Sequence, residues 1–276
     1  MKIRVINYIA KLLAAALVLQ VSTNGSAQPS MLKSGQADWV QGAEYRLNVK
    51  SYYQAGISSA PILLVVLHGD SPRSKPSYHY AFAARAAMER DVVAIGLLRP
   101  GYEDPDGNIS DGERGQSNGD NFNVRNTDSI AAAISELKIR YRSRKVVLAG
   151  HSGGAVIAAN ILGRHPDIVN SALIVSCACD VVAWRESYFR LTGFQSMLSK
   201  IETLSPIDLI KGIAEKMPIT LVVGEHDKVT PPKLSEDYVN RATALGKNMR
   251  IVVLKGKGHE IFDSREVYEQ LLPLLR

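Results

Sequence analysis

The sequence predicts an α/β fold with a mostly parallel central sheet, helices on both faces of that sheet and a small helical insertion. Two observations lead to this prediction. Short apolar runs rich in β-branched residues recur along the chain, and such runs are typical of strands covered on both faces in a parallel sheet. Between them lie longer segments with apolar residues at every third or fourth position, and this alternation favours parallel strands joined by helical crossovers.

The predicted strands and helices follow one another in order. In residues 43–53, Tyr45, Leu47 and Val49 alternate with polar residues, which predicts an edge strand with one solvated face. A polar, irregular lead-in is expected before it, at residues 28–42. Buried strands are predicted at residues 62–67, 92–98, 145–149, 172–176, 219–223 and 250–254. Helices are predicted at residues 78–90, 124–141, 153–164, 234–244 and 264–274.

Two segments interrupt this alternation. Residues 104–123 are rich in Gly, Asp, Asn and Ser and predict a long loop, a feature that is frequently functional inside a compact domain. Residues 181–217 contain Trp184, Tyr188 and other large apolar side chains, and they predict a small helical insertion. Because no linker or internal repeat divides residues 28–276, we expect one domain.

The first 27 residues have a composition of their own. Lys2 and Arg4 precede a mostly apolar run at residues 9–21, and small residues end the segment at Ala27. This pattern predicts a signal peptide cleaved after Ala27, and hence a secreted or periplasmic protein. An uncleaved segment would anchor the domain to a membrane. The uninterrupted apolar run, however, is about half of the roughly 20 residues that a membrane-spanning helix needs, so no stable span is expected after cleavage.

Composition and charge argue against some classes of protein. Hydrophobic residues make up 46% and charged residues 22% of the chain, which is ordinary for a globular protein with a sizeable core. The formal net charge is +6, but the first 27 residues hold three bases and no acid, so the remaining chain carries 30 bases and 27 acids. An evenly spread excess of this size argues against nucleic acid or an anionic surface as a partner.

The two cysteines, Cys177 and Cys179, follow the predicted strand 172–176. Export would permit a disulfide. In an extended segment, however, one intervening residue gives an awkward closure, so we expect two free, buried thiols. No further metal ligands lie near them in the sequence.

Residues 146–159 predict a strand, a sharp turn and a helix, with Ser152 at the tip of the turn. The pattern Gly-His-Ser-Gly-Gly at residues 150–154 is that of a nucleophile elbow, a strained turn that lifts a serine hydroxyl above the end of a sheet. Side chains at the glycines on either side would crowd the turn or the packing of the helix. Ser152 is therefore the candidate nucleophile.

Partners for Ser152 are found downstream of it. A serine hydroxyl needs an imidazole to take its proton, and the imidazole needs a carboxylate to fix its tautomer. Asp227 and His259 follow two later strands, and the chain order serine, aspartate, histidine goes with this elbow. Glu225 and Asp180 are alternative acids, because each of them also lies near the end of a strand.

The negative charge that develops on a substrate carbonyl oxygen needs hydrogen-bond donors. We expect the N–H of Gly153 to be one of them. The N–H of Asp70 or Ser71 is expected to be the other, because the dipeptide His-Gly at residues 68–69 opens a loop directly after a buried strand.

No metal site is expected. His79 and His165 are expected at the surface or at helix ends, and no two histidines share an element at ligand spacing with a carboxylate beside them. The pattern Asp-x-Asp-x-Asn at residues 104–108 resembles the opening of a calcium loop. That loop would need glycine in place of Ile109 and glutamate in place of Gly115, so we expect only a turn-rich loop.

Taken together, these motifs make residues 28–276 similar to the α/β-hydrolase superfamily, and most similar to single-domain serine esterases and to enzymes like prolyl oligopeptidase or dienelactone hydrolase. The motifs are His68-Gly69, Arg99-Pro100-Gly101-Tyr102, Gly150-His151-Ser152-Gly153-Gly154, Gly224-Glu225-His226-Asp227 with Pro231-Pro232, and Gly258-His259. The resemblance implies an α/β-hydrolase fold, a triad of Ser152, Asp227 and His259, and no cofactor. The expected substrate-binding residues are His68, Gly69, Tyr102 and His151.

The expected function is hydrolysis of a carboxylic ester by an exported serine hydrolase, through an acyl-enzyme at Ser152. A small ester or a short peptide is the expected substrate, and the loop 104–123 and the insertion 181–217 are expected to wall its pocket. This chain has Asp-Ser-Pro at residues 70–72 where lipases have a run of glycines, which disfavours a lipase. A serine peptidase, an acyltransferase and a non-catalytic binding module on the same fold are the alternatives.

Overall fold

The computed structural model describes residues 32–276, so the predicted signal peptide lies outside the described residues. The strands are β1 (Leu32–Gln41), β2 (Arg46–Gln54), β3 (Ile62–Leu67), β4 (Val92–Leu97), β5 (Lys145–His151), β6 (Ser171–Val175), β7 (Ile219–Gly224) and β8 (Met249–Leu254). The α-helices are α1 (Tyr78–Ala86), α2 (Val124–Arg140), α3 (Gly153–Arg164), α4 (Val181–Thr192), α5 (Pro206–Leu209), α6 (Pro232–Ala244) and α7 (Arg265–Leu271). Short 3₁₀ helices cover Asp120–Phe122, Gln195–Leu198, Ile210–Gly212 and Leu272–Leu275.

These strands form one sheet of eight strands in the order β1-β2-β4-β3-β5-β6-β7-β8. Neighbouring strands from β4 to β8 pair in parallel, whereas β2 is antiparallel to both β1 and β4. Ile62 of β3 is in register with Val92 on one side and with Lys145 on the other. The predicted mostly parallel sheet is confirmed.

The core lies on both faces of the sheet, because successive side chains of a strand point to opposite sides. All six residues of β3 are buried. Leu63 and Val65 pack in the layer that contains α2, α3 and α6, whereas Leu64 and Val66 pack in the layer that contains α1 and α7. The predicted helices on both faces are therefore present, and the carboxyl ends of the parallel strands are left at one edge for the connecting loops.

Two predictions for the N-terminal strands are wrong. Residues 32–41, expected to be irregular, form β1, which pairs with β2. As a result β2 is an interior strand, and Leu47, Asn48 and Val49 are all buried. Part of the long loop covers β2, since the N–H of Asn48 donates to Ser110 Oγ (2.9 Å). Strand β1 was not predicted because its composition is polar and it is held by backbone pairing with β2.

The prediction of free cysteines is also wrong, because Cys177 and Cys179 form a disulfide. Strand β6 ends at Val175, and Ser176 has a φ of 52°, so the chain turns instead of continuing in extended form. The turn brings the two cysteine Cα atoms to 5.1 Å, shorter than the roughly 6.6 Å of an extended strand and within the range that disulfides span.

The insertion between β6 and β7 is helical, as predicted, and includes α4 and α5. Trp184 on α4 is buried and donates its indole N–H to the carbonyl of Val229 (3.0 Å), in the loop after β7. Asn118 of the long loop donates its amide to the carbonyl of Ser196 (3.0 Å). These contacts fasten the insertion to the edge of the sheet where the parallel strands end.

The segment that resembles a calcium loop holds a lysine side chain. Lys50 Nζ lies 2.9 Å from Asp104 Oδ2 and 2.6 Å from Asp106 Oδ2. Asn108 donates both its N–H and its amide to Asp104. Within residues 32–276, no group of three or more His, Cys, Asp or Glu side chains is placed to hold a metal ion. Over the same range, no helix is both long enough and apolar enough to cross a membrane.

Candidate active site

Ser152 lies at a strained turn between β5 and α3. Its φ of 52° falls in the left-handed region that residues other than glycine avoid. The glycines on either side are required by close packing, because a methyl group at Gly150 would overlap the carbonyl oxygen of Gly154, and one at Gly154 would overlap that of His68. The surrounding structure therefore holds the turn in a conformation that places the Ser152 side chain at the end of the sheet.

The side chains of Ser152, His259 and Asp227 form a hydrogen-bonded chain. Ser152 Oγ lies 3.0 Å from His259 Nε2, and His259 Nδ1 lies 2.9 Å from Asp227 Oδ2. The residues come from the segments after β5, β8 and β7, which meet because the carboxyl ends of parallel strands share one edge. In this geometry the hydroxyl can donate to the imidazole while the imidazole donates to the carboxylate. The structure brings together the three residues nominated from the sequence.

The Asp227 carboxylate is buried and held by its own loop. Its Oδ1 accepts the N–H groups of Val229 (2.9 Å) and Thr230 (2.8 Å), and its Oδ2 accepts the Thr230 hydroxyl (2.8 Å). Burial raises the pKa of this carboxyl, but the hydrogen bond and charge of His259, together with the hydrogen bonds from Thr230, outweigh burial and hold the pKa below its usual value. Asp227 is therefore ionised at neutral pH and can orient the imidazole.

The two alternative acids are engaged elsewhere. Glu225 accepts the N–H of Gly256 (2.8 Å). Asp180 caps α4, where it accepts the N–H of Ala183 (3.0 Å). Of the three candidate acids, Asp227 is the one whose carboxylate is hydrogen-bonded to the histidine.

A second hydrogen-bonded chain joins the histidine to the loop after β3. The main-chain carbonyl of His259 accepts the Nε2 proton of His151 (3.2 Å) and the hydroxyl proton of Ser176 (3.2 Å). His151 Nδ1 accepts the hydroxyl proton of Tyr78 (2.9 Å), and the Tyr78 oxygen accepts the N–H of Gly69 (2.5 Å). A carbonyl can only accept and an amide N–H can only donate, so the direction of every bond is determined. Burial, followed by the charge of His259, lowers the pKa of His151 to about 3, so the ring is neutral and can both donate and accept.

A buried ion pair anchors the loop after β3. The Arg99 side chain has no exposed surface, and its Nη1 lies 2.9 Å from Asp70 Oδ1. Arg99 also donates to the carbonyl of His68 (3.1 Å) and to the amide oxygen of Asn121 (2.5 Å). A methyl group at Gly153 would lie 2.5 Å from Asp70 Oδ1, so glycine there lets the carboxylate approach the start of α3. Arg99 therefore neutralises a carboxylate beside the predicted oxyanion site.

Two of the four predicted substrate-binding residues do not line the cavity at Ser152. His68 is fully buried, and both of its ring nitrogens are hydrogen-bonded to main-chain groups. Tyr102 is 1% exposed and donates its hydroxyl to a carboxylate beneath the loop. Both side chains lie behind the loop after β3, because His68 directly follows that strand and Tyr102 is hydrogen-bonded to Asp70. The other two predicted residues, Gly69 and His151, line the cavity at Ser152.

Ser152 opens into a cavity of about 800 Å³. The loop after β3 forms one part of its wall, and Tyr188 and Phe194 of the insertion form another. The insertion therefore walls the cavity, as predicted. The long loop 104–123 does not line it, so that part of the prediction is wrong, because the loop folds back over β2, where Asp111 N–H donates to the carbonyl of Arg46 (3.0 Å).

Four supporting residues were not predicted from the sequence. The sequence pattern Asp-x-x-Thr at residues 227–230 could have indicated Thr230, because in such a turn the threonine hydroxyl and N–H can both donate to the aspartate carboxylate. Arg99 had a weaker one, since a charged residue directly after a buried strand needs a partner. Tyr78 and Ser176 had none, because their contacts depend on how distant segments pack.

The fold is similar to those of several solved hydrolases. An acylaminoacyl peptidase of Pyrococcus horikoshii matches with a TM-score of 0.66 at 15% identity, over 88% of this chain and 41% of that one. An esterase of Pyrococcus furiosus matches with a TM-score of 0.65 at 14% identity, over 87% of this chain and 89% of that one. Est1E from Butyrivibrio proteoclasticus, with ferulic acid bound, matches with a TM-score of 0.65 at 18% identity, over 86% and 98%. The chain thus spans about two fifths of the peptidase and most of each esterase.

Among curated protein sequences, none matches this chain. The family model of the prolyl oligopeptidase family matches residues 116–275, which is more than half of the sequence. The matched range includes Ser152, Asp227 and His259. The chain therefore belongs to the prolyl oligopeptidase family, and it has an α/β-hydrolase fold.

Proposed function

We propose that the protein is an exported carboxylic-ester hydrolase in which Ser152 forms the acyl-enzyme. The observation that carries this proposal is the hydrogen-bonded chain from Ser152 through His259 to Asp227, which begins at the cavity. A buried carboxylate, an imidazole and a hydroxyl in this order are the groups that activate a serine for attack on a carbonyl carbon.

The reaction proceeds in two halves. His259 Nε2 accepts the hydroxyl proton as Ser152 Oγ bonds to the ester carbonyl carbon. The bond from that carbon to the alcohol oxygen then breaks, and the departing oxygen takes the proton from His259. Water next attacks the acyl carbon and gives a proton to His259, which returns it to Ser152 as the carboxylic acid leaves. The Asp227 carboxylate stabilises the imidazolium in both halves.

The oxyanion in each half needs two donors. Gly153 is the first residue of α3, where N–H groups have no partner within the helix and the helix dipole favours negative charge. The N–H of Gly69 is bonded to Tyr78, which supports the N–H of Asp70 or Ser71 as the second donor. Removing one such donor typically slows acyl transfer by about 100-fold or more.

Ester hydrolysis is favoured over peptide hydrolysis by the extent of the structural matches. The chain spans 89% and 98% of two esterases but 41% of an acylaminoacyl peptidase. Peptidase activity is the second candidate, because the family model is that of prolyl oligopeptidases. Comparison of kcat/KM for acyl p-nitrophenyl esters and for the matching p-nitroanilides separates the two candidates.

Export is supported by the sequence of residues 1–27 and by the disulfide between Cys177 and Cys179, since disulfides persist in oxidising compartments. N-terminal sequencing of the protein recovered from the periplasm or the medium tests this part. A mature chain that starts at Gln28 is the expected result, and recovery of the full-length chain from the cytoplasm contradicts it.

A fluorophosphonate probe and short p-nitrophenyl esters test the nucleophile. Wild-type protein is expected to be labelled and to release p-nitrophenol. Ser152→Ala is expected to lose both activities, whereas Ser135→Ala, a change on α2, is expected to keep them. Equal labelling and turnover by the wild type and Ser152→Ala would show that another residue is the nucleophile.

A further inference from the structure

A second depression adjoins the cavity at Ser152. It has a volume of about 330 Å³, and the segment 72–75 lines both spaces. Its other side is formed by residues 101–103 and by Arg114 of the long loop. A substrate whose reacting group lies at Ser152 can therefore extend across this shared wall into the depression.

The depression has an excess of positive charge. Its charged lining residues are Arg73, Lys75, Arg114 and Glu103. Lys75 Nζ lies 2.6 Å from Glu103 Oε1, so these two charges neutralise each other. The ion pairs formed within residues 32–276 include neither Arg73 nor Arg114. Two guanidinium groups are therefore left without a carboxylate beside the cavity.

Local structure places the backbone of Arg73 and the guanidinium group of Arg114. The Ser71 hydroxyl donates to the main-chain carbonyl three residues later (2.7 Å), which closes the turn that carries Arg73. The Arg114 guanidinium carbon lies 6.0 Å from the centre of the Tyr102 ring, within the range of a cation–π contact. The backbone of Arg114 occupies the position that a side chain at residue 101 would take. Only glycine, here with a φ of 75°, allows this close approach.

Other acids near the nucleophile do not cancel this charge. The Asp70 carboxylate is paired with the buried Arg99 (2.9 Å). Glu260 lines the cavity at Ser152 but not the depression. A guanidinium group is planar and can bind a carboxylate through two parallel hydrogen bonds, which makes it the preferred side chain for this ligand.

Because these two unpaired arginines lie beside the cavity at Ser152, we propose that Arg73 and Arg114 form a subsite for a carboxylate carried by the substrate. The proposal rests on the proposed ester hydrolysis at Ser152 and names its substrate class: esters that bear a negative charge on the acyl part or on the alcohol part. The aromatic wall at Tyr188 and Phe194 then contacts the apolar portion of the same substrate.

Two pairs of esters test the subsite, each differing in one charge. For the acyl part, 4-nitrophenyl hydrogen adipate is compared with 4-nitrophenyl hexanoate. For the alcohol part, 4-carboxyphenyl hexanoate is compared with 4-carbamoylphenyl hexanoate. An exposed ion pair contributes up to about fivefold, so contacts to both arginines predict a charged-to-neutral ratio of kcat/KM that is above 1 and reaches up to about 25-fold in at least one comparison. Salt at 0.5 M is expected to lower this ratio by screening.

The variant Arg73→Gln/Arg114→Gln is expected to lose the preference for the charged ester. Arg241→Gln is the matched control, because Arg241 is exposed on α6 and its replacement removes the same type of charge elsewhere. The control is expected to keep the wild-type ratio. A wild type that prefers neither charged ester, or a double variant that keeps the preference, overturns the proposal.

Binding to Ser152→Ala separates this proposal from the proposed function. Isothermal titration with the same ester pairs is expected to show tighter binding of a charged ester, and a loss of that difference when Arg73 and Arg114 are also replaced. If the wild type cleaves the esters without any charge preference, and both members of each pair bind equally well, ester hydrolysis is supported and the subsite is rejected. If binding depends on the two arginines but the wild-type protein cleaves none of the esters, the subsite is supported and ester hydrolysis is rejected.

Discussion

His151 donates its Nε2 proton to the main-chain carbonyl of His259 over 3.2 Å. Because His151 precedes Ser152 in the chain, this bond ties the strand that carries the nucleophile to the loop that carries the base. Through Tyr78 the same imidazole also reaches the N–H of Gly69. The position of the base and the position of the loop expected to bind the oxyanion are therefore linked by one set of neutral side chains.

Tyr78→Phe should slow the reaction more than it weakens substrate binding. The change removes the hydroxyl and leaves His151 Nδ1 and the N–H of Gly69 without their partner. Loss of such bonds costs about 1–1.5 kcal/mol, so we expect kcat to fall roughly tenfold with a smaller change in KM. Steady-state kinetics with a p-nitrophenyl ester measure both quantities.

Tyr238→Phe is the matched control for that experiment. The Tyr238 hydroxyl is buried and has no hydrogen-bond partner among residues 32–276, so its removal should leave kcat unchanged and should not lower the free energy of unfolding. A Tyr78→Phe enzyme with the kinetics of the control would show that the chain through His151 does not position the base.

Asp227→Asn should reduce kcat by roughly 1,000- to 10,000-fold, because an amide no longer stabilises the charged imidazole in the required tautomer. Glu225→Gln and Asp180→Asn test the other two candidate acids under the same assay. Both should keep activity within a few-fold of the wild type, since Glu225 is bonded to Gly256 and Asp180 caps α4. Similar losses in Asp227→Asn and in either comparison variant would contradict the assignment.

Acid should destabilise the protein through its buried histidines. Burial lowers the pKa of His79 and of His151 from 6.5 to about 3, and it lowers the pKa of His68 well below 6.5. Between these values the unfolded chain binds protons that the folded chain does not. The stability contributed by the neutral rings is therefore complete above pH 6.5 and is lost progressively as the pH falls towards 3.

His79→Phe isolates one of these titrations. His79, expected at the surface or at a helix end, lies at the start of α1 but is fully buried, and neither ring nitrogen has a partner within the described chain. The ring centre of His79 lies 3.9 Å from that of Tyr80, so phenylalanine keeps an aromatic ring at this contact and removes the titrating group.

Urea unfolding at pH 5 and at pH 8 measures the effect of His79→Phe. The difference between the free energies of unfolding at pH 8 and at pH 5 should decrease by about 2 kcal/mol, because one proton contributes about 1.4 kcal/mol per pH unit below pH 6.5. Tyr238→Phe is the control, because it changes a buried aromatic side chain without removing a histidine, and it should keep the wild-type dependence. An unchanged dependence in His79→Phe would show that this ring is also protonated in the folded protein.

Asp70→Asn should destabilise the fold by about 3 kcal/mol, because it leaves the buried charge of Arg99 without its partner. Adding Arg99→Met to this variant removes the unpaired charge and should recover part of the loss. Urea unfolding of the two single variants and the double variant measures the coupling between these residues. Strictly additive losses would mean that the ion pair does not hold the loop after β3.

The central part of the fold was predictable because its signals are local. Strand β3 and helix α3 have the bounds expected from the sequence, since an unbroken apolar run and a glycine-rich turn each depend on neighbouring residues. Strand β1 was not predictable in this way, because its polar residues are held by hydrogen bonds to β2 and not by their own pattern. The sequence predicted β2 as an edge strand for the same reason, because β1, which covers its edge, was not predicted.

By itself, the sequence determined that Ser152 lies between a buried strand and a helix, and that an acid and a histidine follow later strands at the same edge of the sheet. Those features depend on local pattern and on the order of elements. Only the tertiary structure decided that Asp227 meets His259, that Cys177 and Cys179 join, and which side chains lie behind the site. The physical reason is that distance and burial depend on how loops far apart in the chain pack, and residue types alone do not encode that packing.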